Sequence, residues 1–341
     1  MNKKVAAAMS GGVDSSLTAA LLLERGFDVI GVTMLLDDDK HIRDVQNVCE
    51  FLGIPYHVAD FRELFRDKVE NYFVAEYLRG RTPNPCVRCN REIKFGKLFE
   101  VAENLGADYF ATGHYARIVF EEGCFKLKKA ADLRKDQSYV LYNLTPDKLS
   151  RIVLPLGDFS KSDTRRLAAE RNLPVAHKPD SQEICFVPED DYKSFIANRE
   201  PTAQALQAGN IVDASGNILG NHGGVANYTV GQRKGLGIAA PQPLYVTRLD
   251  VADKKIVVGT NEELFTTTLT AIEPHWIYKP TLPAALSAKI RYGAKVAACT
   301  VDASDNSLLV TFAEPQRAVT PGQSVVFYNG DELLGGAIID Y

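Results

Sequence analysis

The first 114 residues repeat one pattern: a short apolar run, a glycine or polar turn, then a longer segment with apolar positions at helical spacing. Residues 4–9, KVAAAM, form a continuous apolar run of the length a fully buried strand needs. A glycine turn follows, and residues 15–25 continue in helical pattern with serine at the start. Residues 28–34 read as a second strand, 41–52 as a second helix and 56–59 as a third strand. Further on, 91–105 reads as helix and 108–112 as a strand ending in Gly113-His114. Strands alternating with helices predict an α/β domain with a mostly parallel sheet covered on both faces. Such sheets bind ligands at the carboxyl ends of their strands. The glycine turn, Met34 and Gly113-His114 all fall at such ends, which predicts a single nucleotide pocket.

Beyond about residue 195 the texture changes. Glycine turns at Gly209-Asn210, Ser215-Gly216-Asn217 and His222-Gly223-Gly224 separate short strand-like runs. From about residue 270, alternating segments at 287–291, 295–301 and 308–312 predict a small antiparallel β-barrel. The expected division is residues 1–195 for the α/β domain, 196–268 for a small central domain and 269–341 for the C-terminal barrel. No internal repeat or low-complexity segment interrupts it.

Composition narrows the class. The 341 residues are 45% apolar and 24% charged, ordinary for a chain with several buried cores. No uncharged apolar run reaches the 18 or so residues of a membrane span. The opening MNKKVAAAMSGG ends its short apolar run in a glycine turn, so it reads as a strand rather than a signal peptide. A cytoplasmic protein with no membrane partner is expected. Six cysteines, Cys49, Cys86, Cys89, Cys124, Cys185 and Cys299, are too few for a secreted disulfide scaffold of this size. The net charge of −4 argues against a broad nonspecific nucleic-acid binder. Two basic stretches stand out against it: Arg79, Arg81, Arg88, Arg91, Lys94 and Lys97 with only Glu92 between them, and Lys126, Lys128, Lys129, Arg134 and Lys135 with only Asp132. They keep local phosphate binding open.

The strongest motif is Ser10-Gly11-Gly12-Val13-Asp14-Ser15-Ser16, set between buried strand and helix. Two glycines let the backbone curl so that successive N–H groups face inward, and the helix N-terminus adds its positive end. The serine hydroxyls are further donors, and Asp14 suits Mg²⁺ or pyrophosphate positioning. No Gly-Lys-Ser/Thr ending follows, so this is not a Walker loop. A capped glycine turn is the plain structural alternative.

Cys86 and Cys89 lie in Thr82-Pro83-Asn84-Pro85-Cys86-Val87-Arg88-Cys89-Asn90. The prolines predict an extended approach feeding a helix from about Arg91. A thiol beside that N-terminus, Arg88 and Arg91 is expected to have a lowered pKa. Cys185, in Asp180-Ser181-Gln182-Glu183-Ile184-Cys185-Phe186, is expected on a loop. A redox pair or half of a zinc site is the alternative for the CxxC spacing, but no second Cys or His pair completes zinc. Cys86, Cys89 and Cys185 together would suit an iron–sulfur cluster with one open position. Cys49, Cys124 and Cys299 fall in helix or strand patterns and read as packing. Residues 231–235, GQRKG, read as a flexible basic loop that contacts tRNA, with a solvent-exposed hairpin tip as the plain alternative. Tyr292 and Trp276 are candidates for base stacking, with core packing the stronger reading for Trp276.

SGGVDSS, TPNPCVRCNREIKF, ATGHYAR, KDQSYVL, SQEICF, TVGQRKGLGI and AVTPGQSVVFY, in this order over essentially the whole chain, resemble the tRNA-specific 2-thiouridylase family of the PP-loop ATP pyrophosphatase superfamily. The resemblance implies a HUP-like nucleotide domain, a central domain and a C-terminal β-barrel, and ATP-dependent thiolation of position 2 of the wobble uridine in tRNA. It implies ATP contacts at Ala8, Met9, Ser10, Gly11, Gly12, Val13, Asp14, Ser15, Met34 and Gly113, and target-base contacts at Asn84, Pro85 and Cys86. It further implies Cys89 as nucleophile, Cys185 as persulfide carrier, and tRNA contacts at His114, Lys135, Asp136, Gln137, Arg291, Tyr292 and Gln323. The implied partners are tRNA and a sulfur donor such as a cysteine desulfurase or relay protein. In the implied mechanism ATP adenylates the uracil O2, the terminal sulfur reaches C2, AMP departs, and a transient Cys89–Cys185 disulfide follows. Some family members carry Asp, thought to act as general acid/base, where this chain has Cys86. The acidic Asp37-Asp38-Asp39 stretch stands where members usually carry a longer insertion. Two other classes compete: a PP-loop ligase acting on a small molecule, which has no use for Cys89 and Cys185, and a non-catalytic RNA- or metal-binding protein, which has no use for SGGVDSS.

Overall fold

The structure is a computed structural model that describes residues 2–36, 40–179 and 184–340. The Asp37–Asp39 stretch and Ser181, Gln182 and Glu183 lie outside the described residues. The N-terminal part runs β1 (Lys4–Ala8), α1 (Val13–Glu24), β2 (Asp28–Leu35), α2 (Lys40–Leu52) and β3 (Tyr56–Asp60). A helical stretch follows, α3 (Arg62–Phe65), a π-helical turn (Arg66–Glu70) and α4 (Asn71–Leu78). A second one comprises α5 (Pro85–Cys89), a π-helical segment (Asn90–Leu98) and α6 (Phe99–Asn104). Then come β4 (Tyr109–Ala111), a hairpin of β5 (Ala116–Glu121) and β6 (Cys124–Lys129), α7 (Pro146–Leu149), β7 (Ile152–Val153), α8 (Lys161–Glu170) and α9 (Tyr192–Arg199).

Strands β3-β2-β1-β4-β7 form one parallel sheet. Its strands are apolar because both faces are covered: Val5, Ala6, Ala7 and Val32 are wholly buried. β1 is flanked by β2 on one side and β4 on the other. The strand order therefore reverses beside β1, which opens a crevice at the carboxyl ends of β1 and β4.

Two helix starts differ from expectation. α1 begins at Val13 rather than Ser15, with Gly12 as its N-cap. The helix expected near Arg91 begins at Pro85: Asn84 caps it, its side chain accepting from Cys86 N (3.1 Å) and Val87 N (3.4 Å). Proline at the first helical position has its φ already set and needs no N–H there, so Asn-Pro starts a helix instead of prolonging the extended approach.

The central part has a four-stranded sheet, order β10-β11-β8-β9, from β8 (Gly209–Val212), β9 (Ile218–His222), β10 (Tyr245–Asp250) and β11 (Lys255–Gly259). The C-terminal six strands are β12 (Phe265–Trp276), β13 (Ala284–Lys289), β14 (Ala297–Ser304), β15 (Ser307–Arg317), β16 (Ser324–Asn329) and β17 (Glu332–Ile339). They form the expected antiparallel barrel, closed by β12 against β17. The β5–β6 hairpin extends this sheet at β17, where Lys128 faces Glu332. Trp276 stacks on Phe327 at 5.2 Å, as expected of a packing residue. Among the described residues no helix is long and apolar enough to cross a membrane.

Phe110 in β4 holds the parallel sheet to the second helical stretch. It is 1% exposed and meets Phe95 (5.9 Å) and Phe99 (5.5 Å) edge to face. Phe110→Ala is expected to lower the stability of this domain by about 3–5 kcal/mol, read as an earlier urea unfolding midpoint.

Candidate active site

The glycine turn is a preorganised anion cradle. Gly11 has φ +69°, and a Cβ there would stand 2.8 Å from Asp44 Cβ and 3.0 Å from His41 O. Only glycine fits both the conformation and the space. Ser10 N donates to Ser15 Oγ (3.1 Å), while Ser15 Oγ and Ser16 Oγ donate to Gly12 O (3.1 and 2.8 Å). These bonds hold the curl while the first turn of α1 offers its free N–H groups. Gly113, just past β4, closes the cradle from the other side: a Cβ there would lie 3.0 Å from both Asp14 C and Ser15 N.

Residues distant in sequence complete the cradle. Asp14 Oδ1 accepts from Lys161 Nζ (2.6 Å) and from the Tyr115 hydroxyl (2.9 Å). Lys178 Nζ reaches Gly11 O (3.1 Å) and Asp44 Oδ2 (2.5 Å). Lys161, Lys178 and Tyr115 were missed by the sequence reading. Lys161 follows a capping box at Ser160, whose side chain and Asp163 cap each other's backbone N–H, and that local signal fixes where α8 starts. Nothing local says that α8 points at the phosphate loop.

The thiols collect at the same edge. Cys89 is buried in α5, whereas Cys86 and Cys185 are exposed, Cys185 on a loop as expected. The three lie close enough for their charges to act on one another, and Lys94 acts on both Cys89 and Cys185. The expected lowering of the thiol pKa is not found at Cys89. Burial pushes Cys89 up to about 12, offset only in part by Lys94. Cys185, open on one side but crowded on the others, is raised as well, first by burial and then by Cys86. Arg88 and Arg91, from which the lowering was expected, are instead paired with Glu92 at 3.5 and 3.4 Å. Among the described residues no group of three or more His, Cys, Asp or Glu side chains is arranged to hold a metal ion.

His114 links the two clusters. It follows Gly113, lies 2.7 Å through Nδ1 from Thr112 Oγ1, and packs beside Phe95 at 5.8 Å. Burial, then Lys94, holds its pKa well below the usual value, so the imidazole is neutral at neutral pH.

The remaining candidates are spread between this edge and the barrel. Gln137 Oε1 accepts from Tyr115 N (3.0 Å), bracing the tyrosine that holds Asp14. Asp136 is buried, accepting from Ala130 N (3.0 Å) and from the Ser138 hydroxyl (2.9 Å), with Lys289 at 3.7 Å. The neighbouring Lys135 is bound to Asp132 O through its backbone N–H (3.0 Å). Gln323 donates to Thr82 O (2.7 Å), and Arg81 ties Glu76 (2.8 Å) and Asp340, so the barrel end braces the segment that leads into α5 and Cys86. Tyr292 is exposed and lies within electrostatic reach of Cys86. Arg291 donates to Thr320 Oγ1 (2.9 Å) and lines an open groove of about 800 Å³ with Lys295 and Arg317. That groove lies on the barrel rather than at the thiols. Cys49 and Cys299 are core residues, as expected, and Cys124 is half-buried.

Fold and site together define a HUP-type nucleotide-binding protein with two β domains behind it. Family models for the tRNA methyl transferase HUP domain match residues 3–189, for the tRNA methyl transferase PRC-barrel domain 193–260, and for the aminomethyltransferase beta-barrel domain 266–339. A tRNA-specific 2-thiouridylase MnmA from Carboxydothermus hydrogenoformans is 49% identical, covering 99% of this chain and 98% of its own. One from Clostridium acetobutylicum is 47% identical, covering 99% and 100%. The chain belongs to the tRNA-specific 2-thiouridylase family.

Two outcomes check the geometry. Gly11→Ala is expected to weaken binding of a non-hydrolysable ATP analogue at least about tenfold in calorimetry, because the added methyl forces the cradle open. With its thiol near 12 in the free protein, Cys89 alkylation is expected to climb about tenfold per pH unit between pH 7 and 10, without a plateau.

Proposed function

We propose that the chain is a tRNA-uridine 2-sulfurtransferase that adenylates O2 of the wobble uridine with ATP and replaces that oxygen with a persulfide sulfur carried by Cys185. The observation that carries this reading is the continuity of the two clusters. Gly113 closes the phosphate cradle against Asp14 and Ser15, and His114 beside it shares Lys94 with Cys89 and Cys185. A nucleotide in the cradle and the sulfurs thus address one substrate position.

The roles follow from the placements. Ala8 to Ser15, Met34 and Gly113 hold ATP, with its triphosphate on the α1 N-terminus. Asp14 keeps Oδ2 clear of its bonds to Lys161 and Tyr115, which suits the Mg²⁺ that accompanies ATP; the ion there would neutralise phosphate charge. Adenylation is needed because a carbonyl oxygen is a poor leaving group and AMP a good one. Asn84, Pro85 and Cys86 meet the target base. Cys86, exposed at the helix start, stands where the resemblance implies an acid/base carboxylate in some family members, and the neutral His114 is a nearby hydrogen-bonding group. Tyr292, Arg291 and Gln323 present the barrel side to tRNA, Lys135 and Gln137 the nucleotide-domain side, and Asp136 anchors that loop from within. Residues 1–195 carry the chemistry, 196–268 contact tRNA and 269–341 form the barrel.

A cysteine desulfurase or relay protein loads Cys185, whose exposure suits such a delivery. The terminal sulfur of the persulfide attacks C2, and AMP leaves with the original oxygen, pyrophosphate having left on adenylation. Cys89 then attacks Cys185 Sγ, breaking the S–S bond, freeing the 2-thiouridine and leaving a Cys89–Cys185 disulfide for later reduction. A reducing cytoplasm suits that last step. A small-molecule ligase is disfavoured because it would leave both thiols without a role.

Cys89→Ser and Cys185→Ser are each expected to abolish 2-thiouridine formation, read by mass spectrometry of tRNA, with ATP binding unchanged. A Cys185→Ser variant that still thiolates rejects the persulfide role. Protein purified anaerobically is expected to thiolate without iron, and activity that tracks bound iron overturns the persulfide reading.

A further inference from the structure

Of the six basic residues between 79 and 97, five are committed to carboxylates. Arg79 and Arg81 pair with Glu76 (3.0 and 2.8 Å), Arg88 and Arg91 with Glu92, and Lys97 with Glu100 (2.6 Å). Lys94 is the exception: no carboxylate among the described residues pairs with it. It is half-buried in the π-helical segment, five residues beyond Cys89. The i→i+5 bonding of a π-helix places residues five apart one above the other, a register an α-helix does not provide, and such segments recur at functional sites. From there the ammonium acts on Cys89 of α5, Cys185 of its loop and His114 after β4. The other titratable groups facing this cluster are Cys86 and Glu70, both acting on Cys185. Lys94 is thus a cation within electrostatic reach of two sulfurs and a neutral imidazole, in a helical stretch whose other basic residues are paired with carboxylates.

We propose that Lys94 is a positioning residue of the sulfur-transfer step: its ammonium is the counter-charge for the anion that moves from sulfur to sulfur between Cys89, Cys185 and the product. This rests on the persulfide reading above. In the step concerned, the Cys89 thiolate attacks Cys185 Sγ in Cys185–S–S–C2. The new Cys89–Cys185 bond forms as the S–S bond breaks, and the electron pair leaves on the 2-thiouridine sulfur, which takes its proton at the base. One negative charge passes from Cys89 to the departing sulfur, and it stays beside Lys94 until the product takes up a proton from solvent. Without base, the same attack on Cys185–S–SH gives the Cys89–Cys185 disulfide and hydrosulfide. Burial of Cys89 makes such a fixed counter-charge necessary, because a thiolate is costly in a desolvated site.

The test compares Lys94→Gln and Lys94→Arg with the unaltered chain in two assays. In the first, protein given persulfide by brief treatment with inorganic polysulfide is followed for hydrosulfide release and for the Cys89–Cys185 disulfide by mass spectrometry. Lys94→Gln is expected to slow both about tenfold or more, the effect of removing one opposite charge beside an ionising group, and Lys94→Arg to restore most of the rate. In the second, tRNA-dependent pyrophosphate release from ATP in a first turnover is expected to remain within about twofold of the unaltered chain, since the cradle has its own cations. Unslowed disulfide formation in Lys94→Gln overturns the inference. So does Lys94→Arg as slow as Lys94→Gln, or loss of pyrophosphate release in step with sulfur transfer. An unaltered chain that forms the disulfide but never 2-thiouridine sinks the functional reading instead, so the two failures are distinguishable.

Discussion

The site depends on one close approach. The backbone after β4 passes so near the first turn of α1 that a single methyl at Gly113 would collide with Asp14 and Ser15. This contact exists because β4 pairs directly with β1, at the place where the strand order of the parallel sheet reverses. It brings the anion cradle next to His114, the following residue, on which Lys94 acts as it does on Cys89 and Cys185. Phe110, two strand positions before Thr112, fixes the height of that segment through Phe95 and Phe99. The helix carrying Cys89 and Lys94 is thereby held at the same level as the phosphate loop. Packing, strand order and chemistry are joined through a few residues.

A second constraint is electrostatic. Crowding by surrounding protein raises the thiols of Cys89 and Cys185, which disfavours the reactive thiolate. Reactivity must then be supplied locally and late, when substrate is in place. On the proposed mechanism, Cys89 stays inert until base, sulfur and counter-charge coincide. The barrel contributes by bracing: Gln323 and Asp340 hold the segment at Thr82 and Arg81, so the approach to α5 and Cys86 is fixed from the far end of the chain.

Much of this was legible in the sequence. The strand–glycine turn–helix of residues 4–25 was readable because buried strands, glycine turns and helix starts are local. The barrel was readable from alternation. The start of α5 was misplaced although its signal was local: Asn84-Pro85 is a cap followed by proline at the first helical position, and two prolines were weighed as extension instead. The state of the thiols was not readable at all. Helix position and neighbouring arginines suggest activation, but Glu92 takes both arginines and tertiary burial reverses the sign. Lys161 and Lys178 were equally invisible, since they reach the cradle from about 150 residues away and nothing in their own segments points there.

The central claim is that nucleotide and sulfur act on the same uridine position, with ATP activating the oxygen that sulfur replaces. It is tested most directly with tRNA carrying ¹⁸O at O2 of the target uridine, turned over once by the persulfide-loaded chain. The account predicts one ¹⁸O in the phosphate of each AMP released, in step with each 2-thiouridine formed. Unlabelled AMP, or label released to water while sulfur is inserted, would contradict it.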